Sequence, residues 1–380
     1  MKKNKDIRPR ITEDEYAILC ELRDNGDIPQ SANQVRTITQ LRAENRALTK
    51  QSADSTLYKK LIHGVTNAHA NPPKWIDKAP SGSGFFYGTP TLFLSDLHWG
   101  ETVHPSQINY VNEYNLDIAR VRLRRFFSTS IQMLFDGVAK PKYNGIVLAL
   151  GGDMLSGNIH EELRESNGET LFQSVLSLTD ELIAGVSLCA DRFGRVFVPG
   201  VVGNHGRLDR KPRMKSGVFD NADWLLYQII ARHFANDKRV TFMIPDSFNA
   251  IYKLNGRTYH LQHGDEMRGG NAISGPITAW MLANIRKQKR HAATGIHVDT
   301  FIFGHFHQLV YGQNNSFIGN GSGKGYDEFA AKLSFPFERA RQALWVTAPN
   351  GDIPLKLEVY GDEARDVKDA EWVQIPDERT

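Results

Sequence analysis

Cysteine is scarce in this sequence of 380 residues, which contains only Cys20 and Cys189. The two lie far apart and form neither a CxxC pair nor a Cys/His finger pattern, which argues against a disulfide framework or a structural zinc site. We therefore expect a reducing, cytoplasmic setting.

Long apolar runs and a strong charge of either sign are also lacking. No stretch approaches the length needed to cross a bilayer, and the basic segment MKKNKDIRPR is not followed by an apolar signal region, so we expect neither a membrane span nor export. The net charge of +3 permits a polyanionic partner without requiring one. A hydrophobic fraction of 41% is enough for a proper core, as in a globular chain.

The chain divides by composition into a short helical part and a large main domain. Residues 1–69 are predicted to be a helical extension, since ITEDEYAILCELRDN has helical spacing with Thr12 as N-cap, and residues 30–61 carry a thin apolar stripe. We expect the long helix to be solvated and to pack on the main body, and leave open a homo-oligomer formed through it. A Pro/Gly/Ser-rich linker (70–90), the main domain (91–362) and a tail (363–380) follow.

Strand-like and helix-like segments alternate in the main domain, which predicts an α/β fold with at least one antiparallel pair. The predicted strands are the apolar runs 91–95, 145–150, 195–202, 241–244 and 300–304, and the amphipathic stretches are 107–137, 164–190 and 219–235. Residues 249–263 predict a hairpin with a type I′ turn at Asn255-Gly256.

Metal-competent side chains stand next to glycines at the ends of five predicted strands. They are Asp96 and His98 in SDLHWG, Asp153 in LGGDM, Asn204 and His205 in VGNHG, His263 in QHGDE, and His305 and His307 in FGHFHQ. We expect strand alternation to send Asp96 and His98 to the same side while Leu97 packs away. Each signal alone is weak, but packing needs would not place such residues at five successive strand ends.

The order DLH, GGD, GNH, QHG, GHFH resembles the five-block signature of the calcineurin-like metallophosphoesterase superfamily, particularly repair-exonuclease-like or phage-type members. The resemblance implies a two-layered β-sandwich flanked by helices, with two metal ions at the strand ends. It implies the following roles: Asp96, His98 and His307 hold one metal, Asn204, His263 and His305 hold the other, Asp153 bridges them, and His205 stays off the metals and faces the substrate.

The implied chemistry is hydrolysis of a phosphate ester by two divalent ions, which neutralise the phosphate oxygens and activate a water. Manganese is the metal that the resemblance favours, while iron and zinc also suit nitrogen and oxygen ligands. His205 is then the candidate general acid for the leaving oxygen.

The sequence departs from the family pattern after GNH, where Gly206 stands in place of a frequent acidic residue that supports the histidine. The usual orienting partner of His205 is therefore missing, and Asp209 is a candidate substitute. The basic segment that follows supplies candidate substrate contacts, Arg207, Arg210 and Lys211, along with Arg213 and Lys215, and a second basic run spans 286–290. If both runs flank the metal cleft, they would follow a phosphate backbone.

Three functions stay open at this point. A nuclease acting on DNA or RNA is favoured by the basic runs. A phosphodiesterase or phosphatase for a small molecule, such as a cyclic nucleotide, needs the same metal core without an extended basic channel. A non-catalytic binding protein on the same fold would be expected to lose ligands, and none is lost here.

Overall fold

The computed structural model describes residues 72–73, 86–209, 211–267 and 277–362. All of them fall within one of the two compact units of the chain, Thr66–Thr380. The predicted N-terminal extension, most of the linker, Arg210 and the C-terminal tail lie outside the described residues.

Twelve strands and six α-helices make up the described part of the chain. The strands are β1 (Phe86–Leu94), β2 (Pro141–Tyr143), β3 (Ile146–Leu150), β4 (Val196–Pro199), β5 (Val240–Met243), β6 (Asn249–Leu254), β7 (Arg257–Gln262), β8 (Thr300–Phe303), β9 (Val310–Tyr311), β10 (Phe317–Gly319), β11 (Arg341–Thr347) and β12 (Leu355–Tyr360). The helices are α1 (Leu116–Phe135), α2 (Glu161–Ser166), α3 (Leu171–Phe193), α4 (Ala222–His233), α5 (Ile277–Ala292) and α6 (Glu328–Lys332).

The strands form two sheets. The first has the order β12-β11-β1-β3-β4-β5, with β2 also paired to β1, and the second has the order β6-β7-β8-β10-β9. In the first sheet β1, β3, β4 and β5 run parallel, and β11 and β12 extend it antiparallel. The predicted α/β class is confirmed.

One hydrophobic core joins the two sheets face to face. Phe93, Phe197 and Trp345 from the first sheet belong to the same buried cluster as Tyr259 and Ile302 from the second. The indole of Trp345 stands edge-on to Phe93 at 6.4 Å between ring centroids and donates to the hydroxyl of Tyr259 at 3.2 Å. The sheets therefore form the two layers of a sandwich.

Helices cover the outer faces. Helix α1 packs on β11 and β12, α3 packs on β3 and β4, and α4 packs on α3. On the second sheet, Trp280 of α5 is fully buried, with its ring 5.4 Å from that of Phe303. Helix α3 has a complete capping box between Thr170 and Gln173 and ends at Gly194 with φ 74°.

Helix α3 corrects one expectation. At 23 residues it is long and apolar enough to cross a membrane by length and composition alone, whereas we expected no stretch of that kind. Its apolar stripe already has a partner within the fold, because Val175, Leu178, Leu182 and Val186 are buried where the helix packs on the sheet. A core helix passes the same length test as a membrane span.

The predicted hairpin is confirmed, since β6 and β7 pair around Asn255 (φ 49°) and Gly256 (φ 83°), the positive values that a type I′ turn requires. Strand β1 begins at Phe86, five residues before the predicted start, within the predicted linker. The first residues of β1 were assigned to the linker partly because they include Gly88. A Cβ at Gly88 would lie 2.4 Å from Val346, so the glycine is needed there for the close approach of β1 to β11.

Candidate metal centre

The loops after five strands meet at one edge of the sandwich. Those after β1, β3 and β4, adjacent parallel strands of the first sheet, carry the DLH, GGD and GNH blocks, and those after β7 and β8 of the second sheet carry QHG and GHFH. The structure thus brings together all eight predicted residues of the centre, which are Asp96, His98, Asp153, Asn204, His205, His263, His305 and His307.

The first cluster consists of Asp96, His98 and His307, whose ligand atoms lie within 4.8 Å of one another. Nε2 of His98 is 3.1 Å from Nε2 of His307, which is 3.5 Å from Oδ1 of Asp96. Asp96 and His98 are almost completely buried, and Oδ1 of Asp96 also accepts the backbone N–H of His305 at 2.9 Å.

The second cluster consists of Asp153, His263 and His305, again within 4.8 Å. Nε2 of His263 lies 3.0 Å from Oδ2 of Asp153 and 3.1 Å from the amide oxygen of Asn204, which joins the cluster. Asp153 and His263 are buried, whereas Asn204 and His305 are half-buried.

A third grouping of His98, Asp153 and His205 links the two clusters. The rings of His98 and His205 are 4.5 Å apart, edge to face, and Nδ1 of His205 lies 2.9 Å from the backbone oxygen of Ser156. With a proton on Nδ1, the hydrogen bond to that carbonyl leaves Nε2 of His205 available to the site. The position suits a metal ligand as well as the predicted acid.

The backbone at the site corrects our account of the DLH spacing. Strand β1 ends at Leu94, so Asp96 and His98 lie beyond it, and neither is placed by strand alternation. Five site residues have left-handed backbone: Asp96 (φ 53°), His98 (48°), Asp153 (50°), His305 (68°) and His307 (55°). Such conformations cost free energy in residues other than glycine and concentrate at functional sites.

Two glycines let neighbouring loops reach the carboxylates. A Cβ on Gly304 would lie 2.2 Å from Oδ2 of Asp96, and one on Gly203 would lie 2.1 Å from Oδ1 of Asp153. Because both distances are far below ordinary van der Waals contact, no larger residue fits at either position without displacing a carboxylate.

The support predicted from Asp209 is not present. Asp209 pairs with Arg213 instead, and Nδ1 of His205 meets the Ser156 carbonyl. Glycine is required at position 206, because a Cβ there would lie 2.2 Å from Oδ1 of Asn221.

A buried carboxylate that sequence reasoning missed supports this loop. Oδ2 of Asp223 accepts the backbone N–H groups of Asp153 and Gly203, each at 2.9 Å. Burial, followed by the Asp153 carboxylate, raises the pKa of Asp223 to about 7. The only sequence signal is its place in the first turn of α4, which looks like an ordinary helix start.

The donor arrangement fits a bound cation. Nδ1 of His263 lies 2.8 Å from the carbonyl of Gly151, so a neutral ring presents the Nε2 lone pair to two oxygens, those of Asp153 and Asn204. Three lone pairs that converge in a buried site repel one another unless a proton or a metal ion lies between them. Nitrogen and oxygen donors without thiolate suit divalent first-row metals.

The pKa values of the second cluster are shifted because its charged groups are buried and lie so close together. Burial lowers the pKa of His263, but the Asp153 carboxylate outweighs burial and raises the pKa well above its usual value. Burial raises the pKa of Asp153, and His263 with its neighbours reverses that effect and holds the pKa well below the usual range. Burial, followed by His263, lowers the pKa of His305 to about 4, which keeps that ring neutral.

The glycine-rich segment NGSGKG (320–325) is a second element that sequence reasoning missed. The amide nitrogen of Asn320 donates to the carbonyl of Phe93 at 3.1 Å, and the hydroxyl of Ser322 donates to the carbonyl of Asp96 at 2.9 Å. This segment therefore fixes the backbone that carries the first cluster.

The two predicted basic runs meet beside the second cluster. They line a cavity of about 270 Å³ that opens next to Asn204, with Arg207 and Lys211 from the first run and Lys287 and Arg290 from the second. Carboxylates share this cavity: Asp209 and Asp220 pair with Arg213, and Glu266 pairs with Lys287. Among the described residues, the lining has five basic side chains and four acidic ones, so the charge of this part is nearly balanced.

No protein-family model and no curated protein matches the chain. Vacuolar Protein Sorting 29 from Cryptosporidium parvum is a similar solved structure, with 13% identity, a TM-score of 0.31, and coverage of 72% of this chain and 98% of that one. An archaeal phosphodiesterase is 10% identical with a TM-score of 0.32 (71% and 99% covered), and phosphopantetheinyl hydrolase from Mycobacterium tuberculosis is 12% identical with a TM-score of 0.25 (62% and 90% covered). Likenesses this remote carry no weight for the activity of this chain.

Proposed function

We propose that this chain is a metal-dependent phosphodiesterase of the calcineurin-like metallophosphoesterase superfamily, and that its substrate is DNA or RNA. The observation that supports the proposal is the convergence of two His/Asp clusters at one edge of the sandwich, linked through His98 and Asp153. Two linked clusters of nitrogen and oxygen donors are the arrangement that two-metal hydrolysis uses.

Under this proposal Asp96, His98 and His307 hold one divalent ion, and Asn204, His263 and His305 hold the other. The carboxylate of Asp153 is shared, because its Oδ2 faces His263 while the residue also groups with His98. Manganese is the proposed metal, with iron and zinc also compatible with these donors.

When bound, the ions would neutralise phosphate oxygens and activate the attacking water. The protein itself would hold the metal-binding side chains in place and supply a proton. His205 is the proposed proton donor: in the doubly protonated ring, Nδ1–H donates to the Ser156 carbonyl, and the proton on Nε2 passes to the leaving oxygen, which leaves a neutral imidazole.

The proposed nucleic-acid contacts are Arg207 and Lys211 of the cavity beside Asn204. Nε of Arg207 is buried without a hydrogen-bond partner among the described residues, and a phosphate oxygen would satisfy it. Arg210, the third predicted contact, lies outside the described residues.

A small phosphodiester, such as a cyclic nucleotide, is the second candidate substrate. The cavity's modest volume and its nearly balanced charge favour it, because a polyanion gains most from a continuous excess of cations.

Salt dependence of binding distinguishes the two substrates. With manganese present, affinity for a single-stranded oligonucleotide should fall steeply as salt rises, by roughly 0.7 log units per log unit of salt for each phosphate bound. Replacing Arg207 and Lys211 by glutamine should reduce that slope by the same amount, roughly 0.7 units, for each phosphate that is no longer neutralised. Lys215→Gln is the matched control, because Lys215 is exposed in the same segment but does not line the cavity.

Turnover of oligonucleotides and cyclic nucleotides should be measured on the same preparations. If oligonucleotide affinity does not change with salt and a cyclic nucleotide is hydrolysed, the substrate is a small phosphodiester and not a nucleic acid. Failure to hydrolyse any phosphodiester despite bound metal would contradict the proposed activity and favour a binding protein.

A further inference from the structure

A buried charge network lies behind the first cluster. The ammonium of Lys324 pairs with Oε1 of Glu101 at 2.7 Å and with Oδ2 of Asp327 at 2.6 Å. All three residues are at most 5% exposed, although charged side chains are rarely buried to this extent unless they are paired. Burying these three charges costs desolvation free energy even though they are paired, so we expect the network to have a function.

The second oxygen of Glu101 faces His98. Oε2 lies 3.4 Å from Nδ1 of His98, and neither atom has a hydrogen-bond partner among the described residues. The backbone N–H of Glu101 donates to the His98 carbonyl at 3.1 Å, so a tight turn holds the two residues in register. Within the described part of the chain, Glu101 is thus the polar side chain placed to meet Nδ1 of His98.

The network carries one more negative charge than positive, from two carboxylates and one ammonium. The nearby guanidinium of Arg122 is already paired with Asp362 at 2.8 Å and with Asn112, and the Tyr114 hydroxyl donates to the Leu97 carbonyl. These neighbouring groups are satisfied elsewhere, which leaves Oε2 of Glu101 to meet the imidazole of His98.

We propose that Glu101 is the positioning residue for His98: its carboxylate holds the Nδ1 proton, so that Nε2 presents a lone pair to the ion of the first cluster. Lys324 anchors the carboxylate from behind, and Asp327 balances the lysine. The inference rests on the proposed function only in taking a divalent ion as what Nε2 binds. Carboxylates in this position behind a histidine ligand set the tautomer and raise the basicity of the ring.

The backbone supports this role. Ser322 donates its hydroxyl to the Asp96 carbonyl and accepts the backbone N–H of Lys324 at 3.1 Å. One short segment therefore places the lysine that anchors Glu101 and also fixes the loop of Asp96.

The test compares Glu101→Gln with Asp327→Asn. Each variant removes one of the two carboxylates on Lys324, and each leaves the lysine paired with the other, but only Glu101 faces His98. Manganese and zinc affinities are measured by competition with a chromogenic chelator, and the urea midpoint of the metal-free chain gives the structural effect. Glu101→Gln should weaken affinity for one ion about 10- to 100-fold, and Asp327→Asn should leave it within about twofold.

Glu101→Asp is a second variant that keeps the charge but withdraws the carboxylate by one methylene, and it should also lose affinity. Equal losses in Glu101→Gln and Asp327→Asn, in step with their urea midpoints, would overturn the inference in favour of a purely structural network. Wild-type affinity in Glu101→Gln would overturn it as well. A wild-type chain that binds neither ion would instead refute the proposed function, which keeps the two failures distinct.

Discussion

Gly304→Ala probes the proposed metal centre by adding a single methyl group. The new Cβ would lie 2.2 Å from Oδ2 of Asp96 and 2.6 Å from Oγ of Ser95, where ordinary contact begins near 3.4 Å. The Asp96 carboxylate must therefore move by about 1 Å, whereas metal sites tolerate deviations of only about 0.2 Å in ligand distance. The backbone of Gly304 has no positive φ, so the effect is steric alone.

The displacement has two expected costs. Overpacking of a buried site lowers the free energy of unfolding of the metal-free chain by about 1–3 kcal/mol. Affinity for one divalent ion should fall by at least about 10- to 100-fold, the loss typical when even an outer partner of a ligand is removed. Urea denaturation and chelator competition measure the two costs separately.

Gly168→Ala is the matched control, because the nearest atoms to its Cβ would be 3.9 Å away and the residue is exposed. It should change neither measurement. Metal affinity in Gly304→Ala within twofold of wild type would refute the reasoning, since it would mean that Asp96 is either mobile enough to yield or not a ligand.

Three further predictions concern the centre and the core. Asp153→Asn should lower metal content at both clusters and Asn204→Ala mainly at one, by elemental analysis; two metals per chain in Asp153→Asn would disprove the shared carboxylate. His205→Asn should slow a natural phosphodiester about 10²–10⁴-fold and bis-p-nitrophenyl phosphate much less, with metals retained; equal slowing would exclude the acid role, and lost metal would indicate a ligand. Burial, then Lys287, lowers the pKa of His260 to about 3, so its contribution to stability is present above pH 6.5 and lost as pH falls toward 3. Between pH 6.5 and 4 the free energy of unfolding should drop by about 3 kcal/mol from this group, and less in His260→Gln; identical urea profiles would contradict this.

The central strands were predictable because they are covered on both faces. Strands β3 and β4 are continuous apolar runs, and the Asn255-Gly256 turn identifies the hairpin. The peripheral strands were not predicted: β12 is mostly half-buried with Val359 as its one buried residue, and β2 has three residues. Such segments become strands only because a neighbouring strand offers its free edge, which local sequence does not reveal.

The residues of the site were predictable by type and order, since each follows a strand at the same edge of a sheet. Their supporting residues were not, because the contacts join distant parts of the chain, as between Asn320 and Phe93 or Lys324 and Glu101. The left-handed backbone of Asp96 and His98 was also hidden, because such a conformation is uncommon for any residue other than glycine and the residue type alone does not reveal it.

The position of the centre at the seam of the sandwich has a consequence for assembly of the fold. Asp96 and Asp153 extend from one layer, while His263, His305 and His307 extend from the other, so a bound ion would fasten the layers together at their rim. An unfolded chain holds Asp96 and His307 far apart, and the complete donor set forms only once the sheets have docked in register. Ion binding would therefore come late in folding. It would occur only when the two layers are docked correctly, and it would then stabilise that arrangement.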